Sequence, residues 1–373
     1  MTDDRETTMN DNHVLVLDAV AKSYAGVPAL APTSFAIEKG EFLTLLGPSG
    51  SGKSTLLKLI AGFETPTSGA ILLRSLEISG LSPAQRQLGM VFQSYSLFPH
   101  LTVAKNIEYG LKRRKWSAER RRARVAEMLA IVKLEHRANA LPAELSGGQQ
   151  QRVAVARALA YDPDVLLMDE PLGALDRTLR LEMESEIKRI HGQLGTTFIY
   201  VTHDQQEAMH LSTRIAIMNN SQVVALGRPD DLFRNPPNVF TAEFFSDATT
   251  VAAEVDARTR FRFEAGGDGS WAAPAGTAPG RYTFGIRPRA ARLGIVEGAP
   301  VLRGTITSSM LFGDEVRLFI DADVVRGLRV VIPSRANTFA PGDRVDVSIP
   351  WEDAILLPAE PVTSRAFHAG ATR

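Results

Sequence analysis

The chain has no cysteine among its 373 residues. Disulfides, thiolate metal sites and cysteine nucleophiles are therefore excluded, which is compatible with a reducing compartment. No apolar run approaches the ~20 residues that a membrane-spanning helix needs. An excess of one charge is also lacking, because 42 Lys and Arg balance 42 Asp and Glu. The overall charge thus indicates neither nucleic acid nor anionic lipid as a partner.

The length of the chain exceeds that of a typical single domain and predicts two. Residues 1–12 are polar and partly acidic, with no apolar core after a basic start. We therefore expect a disordered tail there and no signal peptide. The first domain is predicted over 13–245 and the second over 246–373.

A glycine-rich motif, GPSGSGKS, occupies residues 47–54 between a predicted strand and a predicted helix. Glycines tolerate the positive φ that turns backbone N–H groups inward around a polyphosphate, and the helix N-terminus adds partial positive charge. The lysine of this motif suits the β- and γ-phosphates of ATP, and its last serine suits Mg²⁺. The alternative is a glycine turn without a ligand. The residues predicted to contact ATP here are Gly47, Pro48, Ser49, Gly50, Ser51, Gly52, Lys53, Ser54 and Thr55.

An apolar stretch at 164–168 ends in two carboxylates, Asp169 and Glu170. Ligands of parallel sheets lie at the carboxyl ends of the strands, so both side chains are predicted to face the phosphate site. Asp169 suits Mg²⁺ and Glu170 suits the general base for the attacking water. Without the glycine loop, the pair reads equally well as a helix N-cap.

Two further strand ends follow the same logic. Gln93 follows an apolar stretch at 88–92 and His203 follows one at 197–202. Gln93 suits the attacking water or the metal, and His203 suits the γ-phosphate, although each alone reads as an ordinary polar residue. Asp204 is predicted to cap the next helix, with Glu207 completing a capping box.

A second predicted anion site begins at Ser146, Gly147, Gly148 and Gln149, which open a strong helical pattern over 150–160. Two anion sites far apart in sequence serve one nucleotide only if they meet in space. The order of the motifs resembles the nucleotide-binding subunits of ABC transporters over roughly 13–245.

The resemblance implies an α/β P-loop ATPase that works as a homodimer, or as a pair of ATPase subunits, with ATP and Mg²⁺. Each ATP is expected between the glycine loop of one copy and residues 146–149 of the other. The stretch 173–176 matches the family's D-loop and adds Asp176, with Gly173 where relatives commonly have serine. Tyr24 falls where the family places an adenine-stacking aromatic; the alternative is a surface tyrosine in a turn.

In the family, residues 94–150 correspond to a helical subdomain that receives a membrane partner. Tyr95, Leu97 and Phe98 supply either these apolar contacts or a local core. The implied partners are two membrane permease subunits and a periplasmic or extracellular solute-binding protein, with the ATPase at the cytoplasmic face of the plasma (inner) membrane.

After residue 247, short alternating runs separated by turns predict a small all-β, OB-like domain. It resembles the regulatory domain of importer ATPases. The segments 92–103 and 179–184 are most similar to spermidine/putrescine importers, with ferric iron, phosphonate, sulfate or sugar importers as alternatives.

A basic cluster at 112–124 reads as a solvated helix face. It is also the one feature that supports a different class of protein, a soluble ABC ATPase acting on nucleic acid or ribosomes. The prediction is that nucleic acid is not a partner.

Overall fold

The structure is a computed structural model that describes residues 12–173, 175–266, 269–336 and 339–359. The chain divides into two compact units between Pro229 and Asp230. The predicted tail lies outside the described residues except for Asn12, and Ala174 of the predicted D-loop lies outside them too. The predicted domain bounds at 245 and 246 stay a prediction.

The elements of the first unit, in chain order, are β1 (His13–Tyr24), β2 (Val27–Glu38), β3 (Phe42–Leu46), α1 (Lys53–Ala61), β4 (Ser68–Leu73), β5 (Leu76–Glu77), β6 (Gly89–Val91), α2 (Val103–Arg113), α3 (Ala118–Ile131), α4 (Gly147–Leu159), β7 (Val165–Asp169), α5 (Arg177–Leu194), β8 (Thr197–Thr202), α6 (Gln205–Leu211), β9 (Arg214–Asn219) and β10 (Gln222–Gly227). Short 3₁₀ turns at Glu135–Arg137 and Pro142–Glu144 precede α4.

A six-stranded sheet with the order β10-β9-β3-β8-β7-β6 forms the centre of this unit. All neighbours are parallel except β10 and β9, which run antiparallel. Strands β3 and β8 are buried along their whole length, as expected for parallel strands covered on both faces. The register pairs Leu46 with Thr202, and Asp169 with Val201. The strand ends that carry the predicted site residues therefore lie along one edge.

Two apolar cores flank this sheet. One joins the sheet to α1 and to a second, antiparallel sheet with the order β2-β1-β4-β5. The other packs α2, α3 and α4 against the opposite face and forms the helical subdomain. The α/β P-loop fold with a helical subdomain is thus confirmed.

A buried arginine fastens the end of α1. Arg86 is only 1% exposed and donates hydrogen bonds to the carbonyls of Leu59 and Ile60 in the last turn of α1, and to those of Ser79 and Leu81. The carbonyls of a last helical turn have no partner within the helix, although that of Leu59 also accepts from the Gly62 N–H at 3.3 Å, and a cation complements the helix dipole there. Burial lowers the pKa of the Arg86 guanidinium. The contacts fix the helix whose N-terminus carries the glycine loop.

The elements of the second unit are α7 (Pro229–Arg234), which begins at the division, α8 (Val239–Ser246), β11 (Thr249–Val255), β12 (Arg260–Phe263), β13 (Trp271–Ala272), β14 (Gly280–Ile286), β15 (Arg292–Leu293), β16 (Val301–Phe312), β17 (Glu315–Ala322), β18 (Val325–Pro333), β19 (Arg344–Ser348) and β20 (Ile355–Pro358). Its strands form two five-stranded antiparallel sheets around one apolar core. The predicted all-β second domain is confirmed.

Candidate active site

The glycine loop between β3 and α1 is built from backbone shapes that side chains would disturb. Gly50 and Gly52 have φ values of 80° and 101°, in the left-handed region that favours glycine. Gly47 is restricted by space, because a Cβ there would lie 2.2 Å from the carbonyl oxygen of Met218 in β9. The loop therefore runs close against the neighbouring strand.

Lys53 stands at the first position of α1 and is buried, with 5% of its surface exposed. Its Nζ donates to the carbonyl oxygens of Gly47 at 2.7 Å and Pro48 at 2.9 Å. Burial lowers the pKa of Lys53, while the nearby carboxylates of Glu170 and Asp169 act to raise it. The ammonium group is thus held at the mouth of the loop and faces the acidic strand end.

Two hydroxyls of the loop differ in their surroundings. The Ser51 Oγ is buried and has no hydrogen-bond partner in the described part of the chain. Ser54 is exposed on the first turn of α1. A buried hydroxyl without a partner is costly unless a ligand satisfies it.

The acidic pair occupies the end of β7. Burial raises the pKa of Asp169, and the charge of Glu170 raises it further, while Lys58 and Lys53 act against both effects. Glu170 has a φ of 42°, which is rare outside glycine, and its N–H donates to the Val201 carbonyl at 3.1 Å. This strained backbone turns the chain out of the sheet directly after the carboxylates.

His203 and Gln93 follow β8 and β6, the strands on the two sides of β7. The His203 Nδ1 lies 3.5 Å from a carboxylate oxygen of Glu170. Gln93 is exposed after β6, and its Nε2 lies 3.5 Å from where a Cβ on Gly173 would be. Lys53, Asp169, Glu170 and His203 thus neighbour one another, and Gln93 borders the loop that follows them.

The predicted capping box at α6 is wrong in one half. The Asp204 side chain caps the helix by accepting from the N–H groups of Gln206 and Glu207. The Glu207 carboxylate, however, accepts from the hydroxyls of Tyr200 at 2.8 Å and Thr202 at 2.7 Å. These two buried donors of β8 replace the backbone N–H of Asp204, which donates to Thr202 instead. Burial raises the pKa of Glu207.

The start of α4 is a complete capping box. The Ser146 hydroxyl accepts from the Gln149 N–H, and the Gln149 side chain accepts from the Ser146 N–H. A Cβ on Gly148 would lie 2.9 Å from Leu179 of α5, and one on Gly147 would lie 3.3 Å from Leu175. Both glycines therefore let α4 approach the 175–179 segment closely.

The two predicted nucleotide-binding segments, loop 47–54 and segment 145–149, make no direct polar contact with each other in the described part of the chain. Asp176 caps α5 by accepting from the Leu179 N–H at 3.0 Å. Tyr24 is 44% exposed at the end of β1, with the Lys22 Nζ 5.0 Å from its ring centre.

The segment after Gln93 is held by a residue that the sequence reasoning missed. Tyr95 and Ser96 both have positive φ, and Arg157 of α4 donates to the carbonyls of both at 3.0 and 2.8 Å. Tyr95 is buried and Leu97 packs against the helical core. The sequence does hold one indication of this role, because Arg157 is the only charged residue in the apolar run 153–160.

The basic cluster at 112–124 is only partly paired. Arg121 and Arg124 form ion pairs with Glu108 and Glu127. Arg120 stacks on the Trp116 ring at 3.6 Å.

In the described ranges, no helix is long and apolar enough to span a membrane.

The loop, the sheet and the strand-end residues define a P-loop ATPase. A family model for the ABC transporter matches residues 30–173, and a TOBE domain model matches residues 284–357. A spermidine/putrescine import ATP-binding protein of Ruegeria pomeroyi is 43% identical over 350 residues, which cover 91% of this chain and 95% of the relative. One of Thermobifida fusca is 45% identical over 92% of this chain and 93% of the relative. The chain therefore belongs to the family of ABC transporter ATP-binding proteins, and it is an ATPase.

Two solved structures are similar to more than half of the chain. The cbiO1 protein of Clostridium perfringens, part of an ABC transporter complex, has a TM-score of 0.56 at 30% identity and covers 60% of this chain and 91% of its own. A dimeric ATP-binding cassette bound to ADP and phosphate after hydrolysis has a TM-score of 0.51 at 36% identity, covering 57% of this chain and 98% of its own.

Proposed function

We propose that this chain is the ATP-hydrolysing subunit of an ABC importer and that its cargo is spermidine or putrescine. The observation that supports this most is the convergence of Lys53, Asp169, Glu170 and His203 at one sheet edge. The proposed cargo is taken from relatives that are named for spermidine/putrescine import and match most of the chain. Importers of ferric iron, phosphonate, sulfate or sugars are the alternative cargo classes.

The loop and its lysine bind the phosphates of ATP. Backbone N–H groups turned inward at Gly50 and Gly52 donate to phosphate oxygens, and Lys53 moves from the carbonyls of its own loop to the nucleotide. The buried Ser51 hydroxyl is a further donor. Tyr24 is exposed enough to stack on the adenine.

Ser54, Gln93 and Asp169 would hold Mg²⁺. A hydroxyl, an amide and one carboxylate fit this ion, because it binds through one or two carboxylates plus the phosphates and keeps several waters. The described residues contain no cluster of three or more His, Cys, Asp or Glu side chains for a metal. When bound, Mg²⁺ neutralises phosphate charge.

Glu170 accepts the proton of the attacking water, and Gln93 and His203 position the reactants. The distance of 3.5 Å between Glu170 and His203 puts both within reach of one small group. The negative charge of Glu170 acts on Lys53, so the base and the lysine that binds phosphate belong to one electrostatic cluster.

A second copy completes the site. Residues Ser146, Gly147, Gly148, Gln149 and Asp176 of that copy cap the ATP held by the glycine loop of the first. Loop 47–54 and segment 145–149 share no hydrogen bond or ion pair in the described part of one chain, which is compatible with this arrangement, and a dimeric cassette among the similar structures supports it. Two permease subunits and a periplasmic or extracellular solute-binding protein complete the complex at the cytoplasmic face of the inner membrane.

The decisive variant is Glu170→Gln. We expect it to bind ATP with wild-type affinity and to hydrolyse it ~10²–10⁴ times more slowly, the range for losing a general base. Glu182→Gln, an exposed glutamate on α5, is the matched control and should hydrolyse ATP normally. Wild-type turnover by Glu170→Gln would refute the assignment, and a purified complex that fails to accumulate spermidine or putrescine in vesicles would refute the cargo.

A further inference from the structure

Arg180, in the first turn of α5, contacts two separate loops of the candidate site. Its Nη2 donates to the Leu175 carbonyl at 3.2 Å, and its Nη1 donates to the Asp204 carboxylate at 3.3 Å. Its Nε lies 3.8 Å from a carboxylate oxygen of Glu207. One planar guanidinium thus spans the gap between the two loops.

The first of these loops is the segment 173–176. Gly173 borders the Gln93 side chain and its N–H donates to the Glu170 carbonyl at 3.2 Å. Asp176 caps α5 at the other end of the segment. The Leu175 carbonyl that Arg180 contacts thus lies directly before Asp176, the residue proposed to contact the second copy's nucleotide.

The second loop carries His203. Its neighbours on both sides are fixed, because Thr202 bonds to Glu207 and accepts from the Asp204 N–H, while Asp204 caps α6. Arg180 contacts this loop through two carboxylates, those of Asp204 and Glu207. The His203 backbone lies between Thr202 and Asp204, and its Nδ1 is 3.5 Å from the Glu170 carboxylate.

We propose that Arg180 is a positioning residue that couples the 173–176 loop to the His203 loop. Movement of either loop is transmitted to the other, so the part of the site proposed to face the second copy and the Glu170–His203 pair change geometry together. The two hydrogen bonds come from separate nitrogens of one planar guanidinium, which the single nitrogen of lysine does not reproduce. The Nε has no hydrogen-bond partner in the described residues, and its 3.8 Å approach to Glu207 is electrostatic only. The proposal rests on the proposed roles of Glu170 and His203.

The test is Arg180→Lys in the full-length chain, with Arg189→Lys as the matched control. Arg189 lies on the same helix and likewise bonds to a carboxylate, that of Glu186, and to a backbone carbonyl. We expect Arg180→Lys to lower kcat by about 10- to 100-fold, the effect of a small misplacement of reacting groups. Its KM for ATP should stay within about threefold, because the glycine loop is untouched. The control should stay within about twofold of wild type in both.

Asp204→Asn provides a second, gentler variant, because the amide oxygen can still cap α6 while the charge that pairs with Arg180 is lost. If Arg180 acts through Asp204, the double variant should be little slower than Arg180→Lys alone. Multiplicative losses within about twofold would overturn the coupling. Equal kcat for the Arg180 and Arg189 variants would also overturn it, as would a loss confined to thermal stability.

The two proposals fail in different ways. An active Glu170→Gln variant removes the catalytic assignment on which the coupling rests. A slow Glu170→Gln variant beside an Arg180→Lys variant that matches its control removes only the coupling.

Discussion

Replacing Gly47 with alanine tests whether the glycine loop is shaped by the strand beside it. The added Cβ would lie 2.2 Å from the Met218 carbonyl oxygen and 2.8 Å from the Ser51 Oγ. The serine can rotate, but the carbonyl belongs to β9, where Met218 pairs with Val223 of β10. The loop therefore has to move and the strand does not.

The size of the movement sets the expected effect. Carbon and oxygen atoms rarely approach closer than about 3.2 Å, so the loop has to shift by about 1 Å. Overpacking of this kind costs about 1–3 kcal/mol of stability. A shift of that length also misaligns Lys53 and the backbone N–H donors with the phosphates. We therefore expect the rate of ATP hydrolysis to fall by ~10²-fold and the affinity for ATP by at least ~tenfold.

Equilibrium titration with ATP, steady-state hydrolysis and denaturant unfolding measure the three quantities. Gly80→Ala is the matched control, because a Cβ there meets no atom within 4 Å and its φ is not positive. Gly50→Ala separates crowding from backbone strain, since it has open space but a φ of 80°. Wild-type affinity and turnover in Gly47→Ala would refute the close approach of loop and strand.

Three further variants test other contacts. Lys53→Ala should abolish tight ATP binding, weakening it by ~10² or more in an equilibrium titration, because charge-assisted hydrogen bonds to phosphate are lost; unchanged affinity contradicts the phosphate role. Ser146→Arg should remove hydrolysis while monomers still bind nucleotide, and comparable turnover would rule out a shared site. Arg86→Met should lower the free energy of unfolding by about 2–4 kcal/mol, because buried carbonyls lose their donor. Arg326→Met, at an exposed position, is the control, and equal unfolding curves would contradict the reasoning.

Much of the site was predictable because the chemistry is local in sequence. The glycine loop lies between β3 and α1, and the acidic pair ends β7, as the apolar runs and motif spacing indicate. Parallel strands bring their carboxyl ends to one edge, so residues that follow such strands meet without any knowledge of the detailed packing. The same logic predicted that the second domain is all-β from its short alternating runs.

The residues that sequence reasoning missed depend on partners far along the chain. Glu207 has the spacing of a capping box, but the register of β8 presents two buried hydroxyls that local spacing does not reveal. Arg157 and the strained Tyr95 turn are 62 residues apart in sequence. Arg180 reads as an ordinary cation near a helix start until the Asp204 loop is placed beside it. Such contacts are set by tertiary packing, which carries no local pattern.

The helix caps bear on the proposed dimer. Ser146 and Asp176 each satisfy a backbone N–H group at the start of their own helix, and these caps compete with a nucleotide for the same side chains. The competition is only partial for Ser146, because a hydroxyl that accepts one hydrogen bond can still donate its proton to a phosphate oxygen. Asp176 as a carboxylate can only accept, so it is suited to a hydroxyl or amine of the nucleotide or to a donor of the second copy, and not to phosphate. Replacing Asp176 with asparagine keeps an acceptor for the cap and should therefore spare folding while it changes the contact across the dimer.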